Sequence, residues 1–142
     1  METSPADAAT LERAFPVLAV ADLEAAIAYY TAALGFAEAW RWGEPAVRAG
    51  VARGGVELQL VRAGTPGAPR WPGVVYCHVR GVDAYHAACT RRGATIREPL
   101  AARAFGLHDF RVHDLDENLL GFGERSPSHD GAHAKHHSAT LE

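Results

Sequence analysis

The chain has little of what several classes of protein require. Its 142 residues include only two cysteines, Cys77 and Cys89, without the paired spacing of a zinc site or a disulfide framework. We expect both to be small buried hydrophobic groups in a reducing cytosol. No apolar run approaches the roughly 20 residues that cross a bilayer. The start from Met1 to Arg13 is polar and acidic, unlike a signal peptide, which predicts a cytoplasmic protein without a membrane partner.

Charge and motifs exclude further classes. The formal net charge of −3 gives no basic surface of the kind that nucleic acids require. Neither a glycine-rich phosphate loop nor a nucleophile elbow is found in the sequence. A hydrophobic content of 48% and a charged content of 22% are typical of a globular protein with one core.

The most informative feature that is present is a repeated pattern. Residues 17–36 read as a strand, an acidic turn, an alanine-rich helix and a glycine before a new strand, and residues 74–96 repeat this order. A period of about 60 residues suits a duplicated module rather than a solenoid repeat. Each module is predicted to be β-α-β-β-β. The predicted fold is therefore α+β, with two tandem modules forming a curved mixed sheet around a cavity.

Local signals in the first module support this assignment. Asp22 is a good N-cap, and Gly35 stands where a C-cap glycine belongs. Between them an apolar stripe at helical spacing predicts a buried helix face. The stripe comprises Leu23, Ile27, Tyr30 and Leu34. Gly54 and Gly55 predict a tight hairpin into a strand over residues 56–62.

In the second module, an acidic turn at residues 114–118 joins the last two predicted strands. We expect Asp114 and Asp116 to accept hydrogen bonds from their own turn, as aspartates commonly do. Glu117 would be strained there if its backbone were left-handed, so the turn is a candidate for rearrangement.

Composition sets the expected domain boundaries. The predicted units are an N-terminal arm at 1–13, one domain at 14–124 and a His-rich tail at 125–142. Within the domain, a Gly/Pro-rich linker (63–73) separates module one (14–62) from module two (74–124). The tail composition favours a flexible segment, although its histidines could bind metal if it were helical.

Several segments resemble the vicinal oxygen chelate superfamily, and in particular its bleomycin resistance proteins. These segments are 15–23, 29–31 and 34–36 in the first module, and 79–83, 105–106 and 110–122 in the second. The resemblance covers residues 14–124. It implies the duplicated fold and a homodimer in which modules from both chains form each cleft. It leaves function open, because the superfamily includes glyoxalases, dioxygenases, fosfomycin-inactivating transferases and non-catalytic drug binders.

The resemblance also implies where a metal site would lie. Enzymes of the superfamily hold a divalent metal with four ligands of the His, Glu or Gln type, and the matching positions here are Phe15, Glu57, Val74 and Gly121. Three of these four side chains cannot bind a metal. The expectation is therefore no metal, no cofactor and no catalysis. The alternative is a divergent glyoxalase or dioxygenase whose metal site is rebuilt from Glu57, His78 and His108.

Aromatic residues then become the main evidence for a ligand. Trp40 and Trp42 are in phase on the second strand, and Tyr76 and His78 are in phase on the fifth. The predicted ligand-binding residues are Trp40, Trp42, Glu57, Tyr76, His78, Phe105 and His108. Such rings form a slot for a flat ligand, although the tryptophans could instead pack against a partner subunit. The cavity could also be vestigial and filled by its own side chains.

Charge helps to choose the ligand class. Both arginines and glutamates occur along the strands that would line the cleft. They are Arg41, Arg48, Arg53, Arg62, Glu38, Glu44 and Glu57. This mixture suits a neutral or weakly charged molecule better than cationic bleomycin. The predicted function is non-catalytic binding of a planar aromatic natural product or antibiotic, which is sequestered by mass action.

Overall fold

The computed structural model describes residues 7–126, and its elements follow the predicted repeat. The first module contains β1 (Val17–Val20), α1 (Leu23–Ala32), β2 (Ala37–Gly43), β3 (Ala46–Arg53) and β4 (Val56–Arg62). The second contains β5 (Val74–His78), α2 (Val82–Arg91), β6 (Thr95–Ala102), a short 3-10 turn (Ala104–Gly106), β7 (Leu107–His113) and β8 (Leu119–Arg125). The tandem β-α-β-β-β prediction is confirmed. The predicted tail lies almost entirely outside the described residues.

The two modules build sheets of the same topology. The strand order is β1-β4-β3-β2 in the first sheet and β5-β8-β7-β6 in the second. In each sheet the first strand pairs in parallel with the last strand of its module, and the remaining pairs are antiparallel. The mixed α+β fold is therefore confirmed. Among the described residues, none of the helices has the length and apolar character needed to cross a membrane.

The local signals in module one act as predicted. Asp22 caps α1, because its Oδ1 accepts a hydrogen bond of 3.0 Å from the backbone amide of Ala25. The apolar stripe of Leu23, Ile27, Tyr30 and Leu34 is buried in the core. Gly35 follows with φ +74°, a left-handed conformation that glycine adopts without steric cost. Both cysteines are buried and unpaired, as predicted.

A β-bulge in β2 decides which side chains reach each face of the first sheet. The register with β3 skips Ala39, between Glu38 and Trp40. Glu38 therefore points to the same side as Arg41, toward α1. Arg41 forms ion pairs there with Glu38 (2.6 Å) and with Glu24 of α1 (2.7 Å). Glu38 and Arg41 therefore lie on the helix side, although they belong to a strand that was expected to line the cleft.

The turn between β7 and β8 joins the two modules through buried hydrogen bonds. Asp114 Oδ1 accepts from the amides of Asp116 (2.8 Å) and Asn118 (3.0 Å), as predicted for this turn. Its Oδ2 accepts from the Tyr30 hydroxyl of α1 at 2.8 Å and from Asn118 Nδ2 at 2.9 Å. Asp114 therefore organises its own turn and also anchors the helix of the other module.

Two neighbours of Asp114 extend this connection. Asn118 is fully buried, donates to the Ala19 carbonyl of β1 and accepts from the Gly73 amide at 2.7 Å. Asp116 Oδ1 accepts from the Ala21 amide at 2.9 Å. The structure gives Asp116 this partner in module one, so the prediction of a bond within its own turn is wrong. Glu117 keeps the left-handed backbone, with φ +67°, and the turn is not rearranged.

Candidate functional site on the open sheet faces

Each sheet has one face packed against its helix and a second face that we call the open face. Helix α1 packs on β2, β3 and β4, and α2 packs on β6, β7 and β8. Strand alternation and the pairing register assign the opposite side chains to the open faces. These are Trp40, Trp42, Arg48, Gly50, Glu57 and Gln59 in module one, and Tyr76, His78, Asp109, Arg111, Gly121 and Gly123 in module two.

In module one, the Trp40 ring lies across a glycine. A Cβ added to Gly50 would be 2.6 Å from Trp40 Cε2 and 2.8 Å from Cδ1, so the ring lies where a side chain would otherwise stand. The indole Nε1 donates a hydrogen bond of 3.3 Å to Glu57 Oε2 on β4, two strands away. Trp40 can therefore lie flat against the sheet, because Gly50 beneath it has no side chain. The hydrogen bond to the Glu57 carboxylate holds the ring in that position.

Module two contains the same arrangement with a tyrosine. A Cβ on Gly121 would lie 2.7 Å from Tyr76 Cδ1, and a Cβ on Gly123 would overlap the Tyr76 hydroxyl. The hydroxyl donates to Asp109 Oδ2 at 2.8 Å. Burial, together with the hydrogen bond to Asp109, raises the pKa of Tyr76 to about 12. Each module thus presents one flat aromatic ring, fixed by a carboxylate two strands away.

Beside Tyr76 lies a network of charged side chains that the sequence reading missed. The Asp109 carboxylate is 1% exposed, and its Oδ1 accepts from Arg103 Nε at 2.6 Å. The Arg111 guanidinium lies 5.9 Å from the Tyr76 ring centroid, and its closest approaches to Asp109 and Glu98 are 3.9 and 3.7 Å. Within residues 7–126, Arg111 Nε has no hydrogen-bond acceptor. That Nε is buried, and the Arg111 guanidinium is held beside the ring by the carboxylates of Asp109 and Glu98.

A signal for this network was present in the sequence. Asp109 and Arg111 alternate along β7 with Phe110 and Val112, which are fully buried in the core. Strict alternation of this kind indicates that the two charged side chains share the face opposite the core. Their partner Arg103 comes from the segment after β6, and no pattern in the sequence indicates that contact.

The structure places the other predicted site residues as follows. The ring of His78 is exposed and meets the Tyr76 ring edge-on, with centroids 5.4 Å apart. Trp42 is 65% exposed on the open face of module one. Phe105 is 81% exposed in the short turn before β7, with a left-handed φ of +67°. His108 lies on the helix side of β7, where its Nδ1 is 3.6 Å from Asp83 Oδ1 of α2.

The residues at the implied metal positions do not fit a divalent metal. Phe15, Val74 and Gly121 offer no donor atom, and Glu57 already accepts the hydrogen bond from Trp40. The Tyr76 ring fills the space that a chelating side chain at position 121 would need. Across residues 7–126 there is no group of three or more His, Cys, Asp or Glu side chains that could hold an ion. The donor set is therefore too small for this metal.

The tyrosine pKa values give a testable pH dependence. Burial raises the pKa of Tyr30, Tyr76 and Tyr85 above the ordinary value near 10, so the folded state holds their protons more tightly than the unfolded state. Their contribution to stability is complete below about pH 10 and is lost as the pH rises through the folded pKa values. We expect the free energy of unfolding, measured by urea denaturation, to fall steadily between pH 10 and 11.5.

Tyr76→Phe provides the comparison for this prediction. The variant lacks one of the ionising hydroxyls, so its stability should fall less steeply over the same pH interval. A wild-type stability that stays constant from pH 9 to 11.5 would contradict the raised pKa values.

The chain is similar to several known proteins. A family model described as Glyoxalase/Bleomycin resistance protein/Dioxygenase superfamily matches residues 12–122. TioX from Micromonospora sp. ML1 is similar, with a TM-score of 0.72 and 24% identity over 80% of this chain and 99% of TioX. A glyoxalase/bleomycin resistance protein/dioxygenase from Nocardioides is similar with a TM-score of 0.63 and 20% identity, over 83% of this chain and 87% of that protein.

A further solved structure contains a ligand. The bleomycin-binding protein of Streptomyces verticillus, complexed with copper(II)-bleomycin, has a TM-score of 0.64 and 24% identity over 80% of this chain and 96% of that protein. No curated protein matches the chain. Likeness at these identities shows the fold, and the family model covers nearly all of it. The chain belongs to the Glyoxalase/Bleomycin resistance protein/Dioxygenase superfamily.

Proposed function

We propose that this protein binds a planar aromatic small molecule, an antibiotic or other natural product, and sequesters it without chemical change. The observation that carries the proposal is the position of Tyr76. Its ring covers Gly121, where the resemblance implies a metal ligand, and thereby presents a flat aromatic surface in place of a donor atom. In module one the Trp40 ring covers Gly50 and donates a hydrogen bond to Glu57, which stands at an implied ligand position.

The geometry of the two rings suits stacking. A stacked aromatic pair contributes roughly 0.5–1.5 kcal/mol beyond the burial of area. Trp40 and Tyr76 are already fixed by hydrogen bonds to Glu57 and Asp109, so little conformational entropy is lost when a ligand docks on them. The Arg111 guanidinium lies beside Tyr76 and its side chain is 34% exposed, so it is suited to orient a polar group of the ligand.

A second copy of the chain completes the proposed cleft. Several large apolar side chains are exposed in the single chain, among them Phe15, Trp42 and Val74, at 38%, 65% and 74%. Exposed apolar surface of this kind favours association, and a two-fold pairing would bury equivalent surfaces from both copies. The proposed assembly is a homodimer in which modules from different chains face each other.

The solved relatives support a small-molecule ligand. The Streptomyces verticillus protein is a bleomycin-binding protein, and its fold is shared by this chain. Binding of this type confers protection by mass action, because the ligand is held by the protein and its free concentration falls. The open faces here carry both arginine and glutamate, which favours a neutral or weakly charged ligand over bleomycin itself.

An enzymatic alternative would use a metal site rebuilt from Glu57, His78 and His108. The geometry does not favour it, because His108 lies on the helix side of β7 whereas the His78 side chain lies on the open face. Metal analysis of the protein without residues 127–142 tests this alternative. Stoichiometric zinc, nickel, manganese or iron in that protein would favour the enzyme.

The proposed function is tested by isothermal titration with a panel of planar aromatic compounds, including quinones, anthraquinones and quinoxalines. We expect micromolar binding of at least one of them. Tyr76→Ala should weaken it about tenfold, since a lost stacked ring is worth about 1.4 kcal/mol. Tyr76→Phe is the matched control, because it keeps the ring and should bind within about threefold of the wild type. Failure of a folded, dimeric protein to bind any compound would contradict the proposal.

A further inference from the structure

A cavity of about 490 Å³ lies between the two modules, on the helix side of the sheets. One wall is the β3–β4 hairpin at Gly54 and Gly55, and the other is the face of α2 that carries Ala84 and Ala88. Its floor is apolar. The floor side chains are Phe36, Cys77, Tyr85 and Phe122, which are all nearly buried. The cavity is large enough for a small organic molecule.

The acidic and basic side chains that line this cavity are all arginines, apart from one histidine. Arg53, Arg80 and Arg92 line it together with His78, and no aspartate or glutamate does. Among residues 7–126, none of these three arginines forms an ion pair. The cavity lining therefore carries positive side chains without an acidic one, in a chain whose formal net charge is −3.

Two of these arginines converge on one point. Arg92 Nη1 lies 2.8 Å from the position that a Cβ of Gly35 would take, and Arg53 Nη1 lies closer still. The two guanidinium groups are therefore close neighbours. Like charges at such separations repel each other, and an anion between them would remove the repulsion. Paired guanidinium groups are also well suited to bind the oxygens of phosphate, sulfonate or carboxylate.

Arg53 is held in a position from which it can bind an anion. Its Nη1 donates to the Gly35 carbonyl at 3.2 Å, and its guanidinium carbon lies 5.1 Å from the Tyr85 ring centroid. The bond to Gly35 uses one of the five N–H donors of an arginine, so the others remain for a ligand. The contact with Tyr85 orients the guanidinium plane and limits the side-chain entropy that binding would cost.

From this arrangement we infer that the cavity is a second binding site, separate from the open faces, for a small organic anion. The anionic group of the ligand lies between Arg53 and Arg92, and its apolar body lies against Tyr85. This inference does not depend on the proposed function, because the open-face rings of Trp40 and Tyr76 are not part of the cavity lining, and His78 alone among the predicted site residues borders it.

The test uses 2-naphthalenesulfonate as the probe in a ¹⁵N–¹H NMR titration of the full chain. We expect saturable shifts of the amides of Gly54, Gly55 and Gly81, which surround the cavity. Neutral 2-naphthalenemethanol should bind at least tenfold more weakly, because it lacks the anionic group. Inorganic phosphate should also bind more weakly, because it lacks the apolar body.

Substitutions test which arginines bind the sulfonate group. Arg92→Gln and Arg53→Gln should each weaken sulfonate binding about tenfold, and Arg70→Gln, at an exposed linker position, should leave it unchanged. Arg92→Gln alone is decisive if Arg53→Gln does not fold, because Arg53 also contacts Gly35 and Tyr85. Equal binding of the neutral alcohol, unchanged binding in Arg92→Gln, or shifts confined to the amides around Tyr76 would overturn the inference.

Discussion

Asp114→Ala is expected to lower the free energy of unfolding by about 3–5 kcal/mol. The carboxylate is buried and accepts four hydrogen bonds, from the Tyr30 hydroxyl, the Asn118 amide and side chain, and the Asp116 amide. Removing it leaves these donors without their acceptor in a largely buried environment, and each unsatisfied buried donor costs roughly 1–3 kcal/mol. Because the donors come from both modules, the effect should appear as a loss of cooperative stability of the whole domain. Urea denaturation followed by circular dichroism measures it.

Asp116→Ala is the matched control for this prediction. Asp116 belongs to the same turn and also reaches the other module, but it accepts one bond between modules, from the Ala21 amide near the surface. Its replacement should cost about 1 kcal/mol or less. Equal losses for the two variants would show that the buried Tyr30–Asp114–Asn118 contacts are not the main link between the modules.

Gly50→Ala should displace the Trp40 ring and weaken binding of a planar aromatic ligand at least tenfold. The new methyl group would stand within 3 Å of three ring atoms of Trp40, which real side chains do not tolerate. The ring must therefore move, and its bond to Glu57 is lost. Overpacking of this kind also costs about 1–3 kcal/mol of stability. Tryptophan fluorescence reports the ring displacement, urea denaturation the loss of stability and ligand titration the loss of affinity.

Gly55→Ala introduces the same methyl group where it meets nothing. A Cβ at Gly55 has no heavy atom within 4 Å, and the backbone there does not require a glycine. This variant should keep the wild-type fluorescence, stability and ligand affinity. A Gly50→Ala protein that binds as well as Gly55→Ala would mean that the position of Trp40 is not important for the ligand.

Much of the fold could be predicted from the sequence because its signals are local. The N-cap Asp22, the stripe from Leu23 to Leu34 and the hairpin at Gly54 each depend on neighbours within a few residues. The strand β4 has the predicted bounds, Val56–Arg62. Each feature carries its own steric or hydrogen-bonding preference, and duplication of the pattern in the second module reinforced the assignment.

The features that were missed depend on contacts between distant segments. The register that skips Ala39 is set by pairing with β3, so the sequence of β2 alone does not indicate that Glu38 lies on the same side as Arg41. Asp116 bonds to Ala21, 95 residues away, and no local rule indicates that partner. The contact between Arg103 and Asp109 likewise needs the full geometry of the second sheet.

The candidate site likewise has features that the sequence predicts and features that depend on contacts between distant segments. Strand periodicity correctly places Trp40 and Trp42 together on one open face and Tyr76 and His78 together on the other. It does not indicate that each ring lies over a glycine of the neighbouring strand. Tyr76 and Gly121, for example, are far apart in sequence and become neighbours only when β5 pairs with β8. The cavity at Arg53 and Arg92 was likewise not anticipated, since it needs both modules in place.

The position of Tyr76 over Gly121 has an evolutionary consequence. A chelating side chain at 121 and a large ring at 76 compete for one volume, so a single substitution cannot exchange one for the other. A chelating side chain introduced at position 121 alone would clash with the Tyr76 ring. A smaller side chain introduced at position 76 alone would leave an empty space beside Gly121 without supplying a metal ligand. Exchange of the ring for a chelating side chain therefore requires coordinated substitutions at positions 76 and 121.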